Sequence, residues 1–320
     1  MPKKKTIKIL MVNRPENQWI GGDFIKLKAV AEELRLLGVE VDIFEMETLG
    51  MNEWYGVESY DIVHTWNFSM LWSKYAIWLG GKKKKKLVSS MIYHDTDVFI
   101  DYKLQQVMMD HMDACIYETE SEIERVKKHL TPKNSHIIPN GVDSWWFEPD
   151  EGNVPFEGYV LTVGRIEPNK GQLATAEACR ELGLQYVCIG EITDQVYAEK
   201  CLAQGAMLYP AMTKEKLKRW YKNCAVYAQV SKSETWGMAV DEAGTQGARL
   251  VLSTGFERQD IPDAVYCDHD NTNLITQALQ QALSQPRGER FKLQLKKRTW
   301  KKHAQEILKI YKEILKQTNE

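Results

Sequence analysis

The stretch SKSETWGMAVDEAGTQG, residues 231–247, sets two glutamates eight positions apart with Gly237 between them and Gly244 and Gly247 beyond. On one helix, eight steps of roughly 100° would leave Glu234 and Glu242 about 80° apart, and they would build no common site. Gly237 points to another arrangement. Residues 225–230, Ala-Val-Tyr-Ala-Gln-Val, read as a buried strand. Residues 231–235 read as a loop, and a helix is predicted to start near 236–238 and run through Glu242 to about Gly247. Glu234 then sits in the loop and Glu242 about one turn into the helix. Both look into the crevice at the carboxyl end of a strand, where open α/β sheets bind ligands. The amides of Thr235, Trp236, Gly237 and Met238 would face the same crevice and could hold an anion. The plain alternative is an ordinary strand–loop–helix with one surface glutamate and one at a helix start.

Upstream, strands and helices alternate. Residues 7–12 form an apolar run of the kind seen in buried parallel strands. A polar loop, 13–22, ends in Gly21-Gly22. Residues 23–37 carry the stripe Phe24, Leu27, Ala31, Leu34 and Leu37, with Gly38 as the stop. Further strands are predicted at 39–45, 61–64, 87–93, 114–117 and 136–138, with a helix over 121–130. An acidic, Pro- and Gly-containing segment, 144–158, breaks the pattern, and the domain join is placed there. The second half restarts with strands at 159–163, 186–189, 207–209, 225–230, 251–253 and 265–266. Helices are predicted over 172–182 and 213–223, and the chain ends in a long helix, 301–317. This is a parallel α/β pattern: two Rossmann-like doubly wound domains. The first is assigned residues 1–148 and the second 149–298. The terminal helix, 299–320, remains to be placed.

Composition bounds the function. A chain of 320 residues is long enough for two domains, and a net charge of −2 gives no basic field of the kind nucleic-acid binders carry. The six cysteines have no C-x-x-C spacing and read as reduced, mostly buried thiols of a cytoplasmic chain, with no zinc site. No apolar run approaches the roughly 20 residues of a membrane span. The lysine-bearing start leads straight into a strand and does not read as a signal peptide. Neither G-x-G-x-x-G nor G-x-x-x-x-G-K-[ST] occurs, which counts against dinucleotide and P-loop sites.

A second feature lies at 163–171, VGRIEPNKG. A strand ends, a glycine turns the backbone, and Arg165 and Lys170 follow five apart near the next predicted helix start. Arg165 offers a planar donor fork and Lys170 a mobile charge, a pair able to neutralise a diphosphate. Alone, the stretch would read as a solvated basic loop. The combination resembles the retaining glycosyltransferases of family four, through nearly the whole chain. IIPNGVDSWWFEP (137–149) is similar to the family's strand-to-linker signature. VGRIEPNKG matches its diphosphate-holding Arg and Lys. Glu234 and Glu242 match its E-x7-E pair, inside the block 217–253 that looks most characteristic of the family.

The resemblance implies a GT-B fold, with the two domains facing each other across a cleft and the terminal helix packing back onto the first, acceptor-side domain. The second domain would bind the nucleotide sugar. It implies that Glu242 accepts hydrogen bonds from ribose hydroxyls, and that Glu234 contacts the transferred sugar and helps place its anomeric carbon. Arg165 and Lys170 would hold the diphosphate. Backbone amides at Thr235, Trp236, Gly237 and Met238 would contact sugar and diphosphate. Gly21 and Gly22 resemble the family's N-terminal glycine loop. His94, in YHD, occupies the place of a histidine near the sugar, and His64 is a weaker candidate that reads more simply as a partly buried strand-end histidine. No cofactor and no metal are expected, since 94–97 has D-x-D spacing but matches the histidine loop better. Trp236 and Gly255-Phe256-Glu257 depart from the family pattern near the donor sugar or acceptor, which leaves the donor open. The chain is shorter than many members, which suggests trimmed loops.

One patch stands outside these motifs. Residues 68–81 carry Leu71, Trp72, Tyr75, Trp78 and Leu79 at helical spacing, followed by Lys82, Lys83, Lys84, Lys85 and Lys86. The favoured reading is a core-packed helix and a solvated lysine loop. The alternative is a peripheral contact with the inner face of an anionic membrane, which would suit a lipid-linked acceptor. The expected function is retaining transfer of a sugar from a nucleoside diphosphate donor, UDP- or GDP-linked, to a glycan, lipid-linked or other hydroxyl acceptor. Two competitors are a non-catalytic nucleotide-sugar-binding scaffold and a sugar-nucleotide epimerase of the same fold. The intact Arg165, Lys170, Glu234 and Glu242 argue against the first. No first-domain acid/base carboxylates can be assigned for the second.

Overall fold

The computed structural model describes residues 6–13, 22–45, 56–68, 71–93 and 101–317. It opens with β1 (Lys8–Asn13), α1 (Gly22–Leu36), β2 (Glu40–Glu45), β3 (Ile62–Trp66), α2 (Leu71–Lys82) and β4 (Lys86–Ser90). There follow α3 (Tyr102–Asp110), β5 (Ala114–Tyr117), α4 (Glu120–Val126) and β6 (Ser135–Ile137). A second series runs β7 (Val160–Val163), α5 (Gln172–Glu181), β8 (Tyr186–Ile189), α6 (Gln195–Ala203), β9 (Ala206–Tyr209), α7 (Lys214–Asn223) and β10 (Val226–Gln229). It continues through α8 (Met238–Thr245), β11 (Leu250–Ser253), β12 (Ala264–Cys267), α9 (Thr272–Ser284) and α10 (Glu289–Leu295). The last helix is α11 (Trp300–Lys316).

Two compact units result: Met1–Gly141 with Arg298–Glu320, and Val142–Lys297. Each holds one six-stranded sheet, ordered β2-β1-β3-β4-β5-β6 and β12-β11-β10-β7-β8-β9. Every strand pair is parallel. Parallel strands covered by helices on both faces are mostly apolar runs, and β3, β5, β8, β10 and β11 are buried at every position. The units divide between Gly141 and Val142, ahead of the 148/149 join, because Val142 and Trp146 pack into the core of the second unit.

Local chemistry sets the helix ends. In α1, Phe24, Leu27, Val30, Ala31 and Leu34 face inward, and Gly38 at φ 83° takes the left-handed turn that ends the helix. Helix α11 is capped by the Thr299 side chain on the Lys302 amide, buries Trp300, Ile307, Ile310, Tyr311 and Ile314, and packs on α1 within the first unit. Four helices that the apolar pattern does not announce are present: α3, α6, α9 and α10. Asp101, Asp194 and Asn271 cap the first three, and exposed Leu104, Val107, Val196, Leu202 and Leu274 blur their stripes.

The aromatic and lysine patch divides between the core and the surface of the first unit. Helix α2 buries Ala76 and Ile77 and packs on the sheet, while Trp78 keeps 52% of its surface beneath the Lys82 ammonium. Lys83 pairs with Glu58, Lys85 donates to the Glu58 carbonyl at 2.6 Å, and Lys86 opens β4 and pairs with Asp113 at 2.9 Å. No helix among the described residues is long and apolar enough to cross a membrane. All six cysteines are buried and free.

Under α1 lies a buried polar layer. Lys26 Nζ meets Glu118 Oε1 at 2.9 Å, and Asn140 donates to the same oxygen at 2.8 Å. Glu122 accepts from the amides of Tyr93 and Glu118, yet burial, and then the charge of Glu118, push its carboxyl up to about 7. Removing one partner of a buried pair strands the other charge. Lys26→Met is therefore expected to lower unfolding free energy by about 3–5 kcal/mol in urea. A loss within experimental error of zero contradicts the role assigned to this pair.

Candidate functional site

In the second sheet the winding direction reverses between β7 and β10, since β8 and β9 extend one way and β11 and β12 the other. The loops leaving neighbouring strands there part to opposite faces, and open α/β sheets bind ligands at such a point. The loop after β7 carries Arg165 and Lys170, and the loop after β10 carries Glu234. Thr162 Oγ1 donates to the Ala228 carbonyl at 2.6 Å and so fixes the two strands beneath them.

The two loops are fastened to each other. Lys232 donates its amide to the Asn169 carbonyl at 2.8 Å, and Asn169 Nδ2 donates to the Ser233 carbonyl at 3.3 Å. Gly171 permits the approach: its φ is 68°, and an added Cβ would lie 2.1 Å from the Val230 carbonyl oxygen. Lys170 is thereby delivered to Glu234, with Nζ 2.5 Å from Oε2. Both side chains are about five-sixths buried, at 15% and 16% exposure. Gln229 Nε2 donates to the same oxygen at 2.9 Å, and Tyr227 donates its hydroxyl to Gln229 Oε1 at 2.7 Å. The lysine and glutamate that the sequence singles out for different parts of a ligand thus hold each other in the free protein. Arg165 stands more open, 47% exposed, with Nη2 3.1 Å from Glu167 Oε1.

Helix α8 begins where expected. Gly237 caps it at φ 68°, and an added Cβ would lie 2.5 Å from the Phe256 ring. Thr235 and Trp236 are buried, so Trp236 has only its backbone to offer a ligand. Met238 is the first residue of the helix, and Glu242 lies in its second turn. Glu242 keeps some surface, but its carboxyl group is lodged in protein, where Tyr221 donates its hydroxyl to Oε2 at 2.9 Å. Burial raises that carboxyl to about 7, against the lowering effect of the Tyr221 hydrogen bond and of Lys214.

The remaining sequence-selected residues belong to the first unit. Gly22 opens α1, whereas Gly21 and His94 lie outside the described residues. His64 is fully buried between Tyr311, whose hydroxyl is 2.5 Å from Nδ1, and Ser90, 3.1 Å from Nε2. Burial and the nearby Lys26 charge push its imidazole down to about 3, so it is a neutral core histidine in this structure. Gln229, Tyr221 and Tyr227 are site residues that pattern reading passes over. The one signal was Gln229, a polar residue closing an otherwise apolar strand. Among the described residues, Asp268, His269 and Asp270, which follow β12, are the only set of three or more carboxylate, imidazole or thiol groups gathered within 4.8 Å of one another.

Residues 147–286 match the family model described as glycosyl transferases group 1. A D-inositol 3-phosphate glycosyltransferase of Segniliparus rotundus is 27% identical over 165 residues, which is 44% of this chain and 37% of that protein. The chain thus matches well under half the length of this relative. Among solved structures, a sucrose-phosphate synthase from Thermosynechococcus elongatus superposes with a TM-score of 0.80 at 16% identity, covering 96% of this chain and 99% of that one. Anabaena Alr3699/HepE in complex with UDP and glucose gives 0.75 at 12% identity, covering 95% and 98%. The fold is GT-B, the two-unit Rossmann-like architecture of these glycosyltransferases.

Glu242 supplies a test that needs no ligand. Its carboxyl is proton-richer when folded than when unfolded between the ordinary 4.5 and about 7, so its contribution to stability is full below 4.5 and is lost as pH rises through 7. Glu242→Gln, which keeps an acceptor for Tyr221, is expected to stabilise the protein by about 1–3 kcal/mol at pH 8 and far less at pH 5. A variant no more stable than its parent at pH 8 contradicts the desolvated carboxyl.

Proposed function

We propose that this protein is a retaining glycosyltransferase that moves a sugar from a nucleoside diphosphate donor to a hydroxyl acceptor. The observation that carries the reading is the Lys170–Glu234 pair beside the α8 N-terminus, at the switch point of the second sheet, with the Glu242 carboxyl deeper in the same helix. The resemblance to solved enzymes holding UDP and glucose supports a UDP-sugar as the first donor to test. The match to inositol phosphate glycosyltransferases supports a polyol or other hydroxyl acceptor, with a glycan or lipid-linked alcohol as alternatives.

Each group has a task in this reading. The donor diphosphate takes over Lys170, adds Arg165, and caps the amides of 235–238. Glu234, released by Lys170 and still held by Gln229, accepts hydrogen bonds from the sugar hydroxyls. Glu242, ionised, accepts from the ribose diol. As the bond between the anomeric carbon and the diphosphate oxygen breaks, the negative charge on the leaving oxygen is stabilised by Lys170, Arg165 and the helix amides, all fixed in advance. The acceptor oxygen bonds to the same face of the carbon, and its proton passes to the leaving phosphate. That face-retaining course needs no protein nucleophile, and the positive charge it needs comes from the chain.

A thermal-shift panel of UDP, GDP, ADP and their sugar conjugates tests the donor. A conjugate at about 100 times its dissociation constant adds roughly 2.7 kcal/mol to the native state and raises the midpoint by several degrees. One base is expected to give this shift, and Lys170→Met to remove it. Glu234→Gln is expected to keep much of the nucleotide affinity and to lower transfer at least about a hundredfold. Transfer at the parental rate by Glu234→Gln overturns the role given to that carboxylate. Binding without transfer to any acceptor favours a scaffold. Affinity for the sugar conjugate, whose phosphates do not titrate near neutrality, should climb as pH rises through about 7 and be flat in Glu242→Gln.

A further inference from the structure

The loop that bears Glu234 is held from its far side by a buried charge that the reaction does not use. Glu234 donates its amide to the Gly255 carbonyl at 3.1 Å and accepts from the Glu257 amide at 3.0 Å, a short parallel bridge to Phe256. The next residues close on Arg258. Its Nη1 donates to the Trp236 carbonyl at 3.0 Å and lies 2.9 Å from Asp241 Oδ1. Its guanidinium is stacked 4.1 Å from the centre of the Trp236 ring. Trp236 Nε1 in turn donates to Asp241 Oδ2 at 2.7 Å. All three side chains are buried.

A buried ion pair of this kind is a weak source of stability, since apolar residues of similar volume fill such a space at least as well. What apolar residues lack is direction. The planar guanidinium reaches a carbonyl, a carboxylate and an aromatic face at once, and each contact fixes a different part of the turn between β10 and α8. The carbonyl contact sets the peptide after Trp236, whose amide begins the α8 turn at Gly237. The Asp241 contact ties that peptide to the first turn of α8. The ring contact stops Trp236 from swinging out of the core and carrying Thr235 and Glu234 with it.

We infer that Arg258, with Asp241 and Trp236, is the positioning device of the site: it fixes the 234–238 backbone so that the Glu234 carboxylate and the α8 amides meet one ligand in register. The inference rests on the donor site proposed above for its ligand, but the clamp on the loop is a property of the free protein. Gln229 holds the carboxylate end of Glu234, and Arg258 holds the backbone that carries it.

The test uses the full chain with Asp241→Leu and Arg258→Met together, which replaces the pair by apolar groups, and with Arg258→Lys alone, which keeps the charge without the planar fork. Urea unfolding, amide hydrogen exchange and calorimetric titration with UDP-glucose are the readouts. The double variant is expected to fold, with exchange at 234–240 faster by about tenfold or more and little change elsewhere in the second unit. UDP-glucose affinity is expected to fall about tenfold or more, with Arg258→Lys in between. A folded double variant with parental exchange and parental affinity overturns the inference. If the double variant does not fold, Arg258→Lys decides on the same readouts. Parental protein that binds no nucleotide sugar overturns the donor reading, and exchange at 234–240 still decides whether Arg258 fixes the loop.

Discussion

The short contact between Lys170 and Glu234 is the constraint around which the second unit is arranged. An ammonium and a carboxylate about five-sixths buried meet at 2.5 Å only if two loops from neighbouring strands are brought to the same point. The strand order brings them there, Thr162 fixes the strands, Gly171 removes the side chain that would keep the loops apart, and Asn169 sews the backbones together. In the function proposed here, Lys170 and Glu234 compensate each other until a diphosphate competes for the lysine and a polyol for the glutamate. Burial of the pair is what would make the exchange selective for a ligand that offers both groups at once.

Around that contact the polar groups form two tiers. Tyr227, Gln229 and Glu234 form one chain of hydrogen bonds, and Tyr221 and Glu242 form another, with the two tyrosine rings 5.6 Å apart in the core. A carboxyl kept at about 7 by burial costs stability at neutral pH, and its retention is the pattern expected where function and stability pull in opposite directions. Arg258 and Asp241 add a third tier, which reaches the site through Trp236 and the backbone of the turn that carries Glu234. Each tier restrains the next, so the geometry at Glu234 reflects residues on β10, on α8 and on the turn after β11.

Much of this was legible in the sequence, for identifiable reasons. The parallel sheets were, because strands buried on both faces must be apolar runs, and 114–117 and 186–189 carry that signal undiluted. The start of α8 was, because Gly237 between two polar clusters leaves little other backbone. Lys170 and Glu234 were selected separately, by motif, and nothing in their spacing told that they touch. Tertiary partners were not legible. Arg258 is one basic residue in a loop, and its burial against Trp236, 22 residues away in sequence, depends on two neighbouring strands coming together. Helices α6 and α9 were missed because their outward apolar residues, Val196, Leu202 and Leu274, smear the stripe that periodicity detects. His64, read more simply as a partly buried strand-end histidine, is fully buried, and its partner Tyr311, from a helix far along the chain, is what the sequence does not announce.

The most direct test of the account is a structure of the protein with an intact UDP-sugar, or whichever conjugate the binding panel selects, read at one distance. Lys170 Nζ is expected to leave Glu234 for a diphosphate oxygen while Glu234 turns to the sugar hydroxyls, with the loop 234–238 unmoved. A bound donor with Lys170 still on Glu234, and the diphosphate held elsewhere, would contradict it.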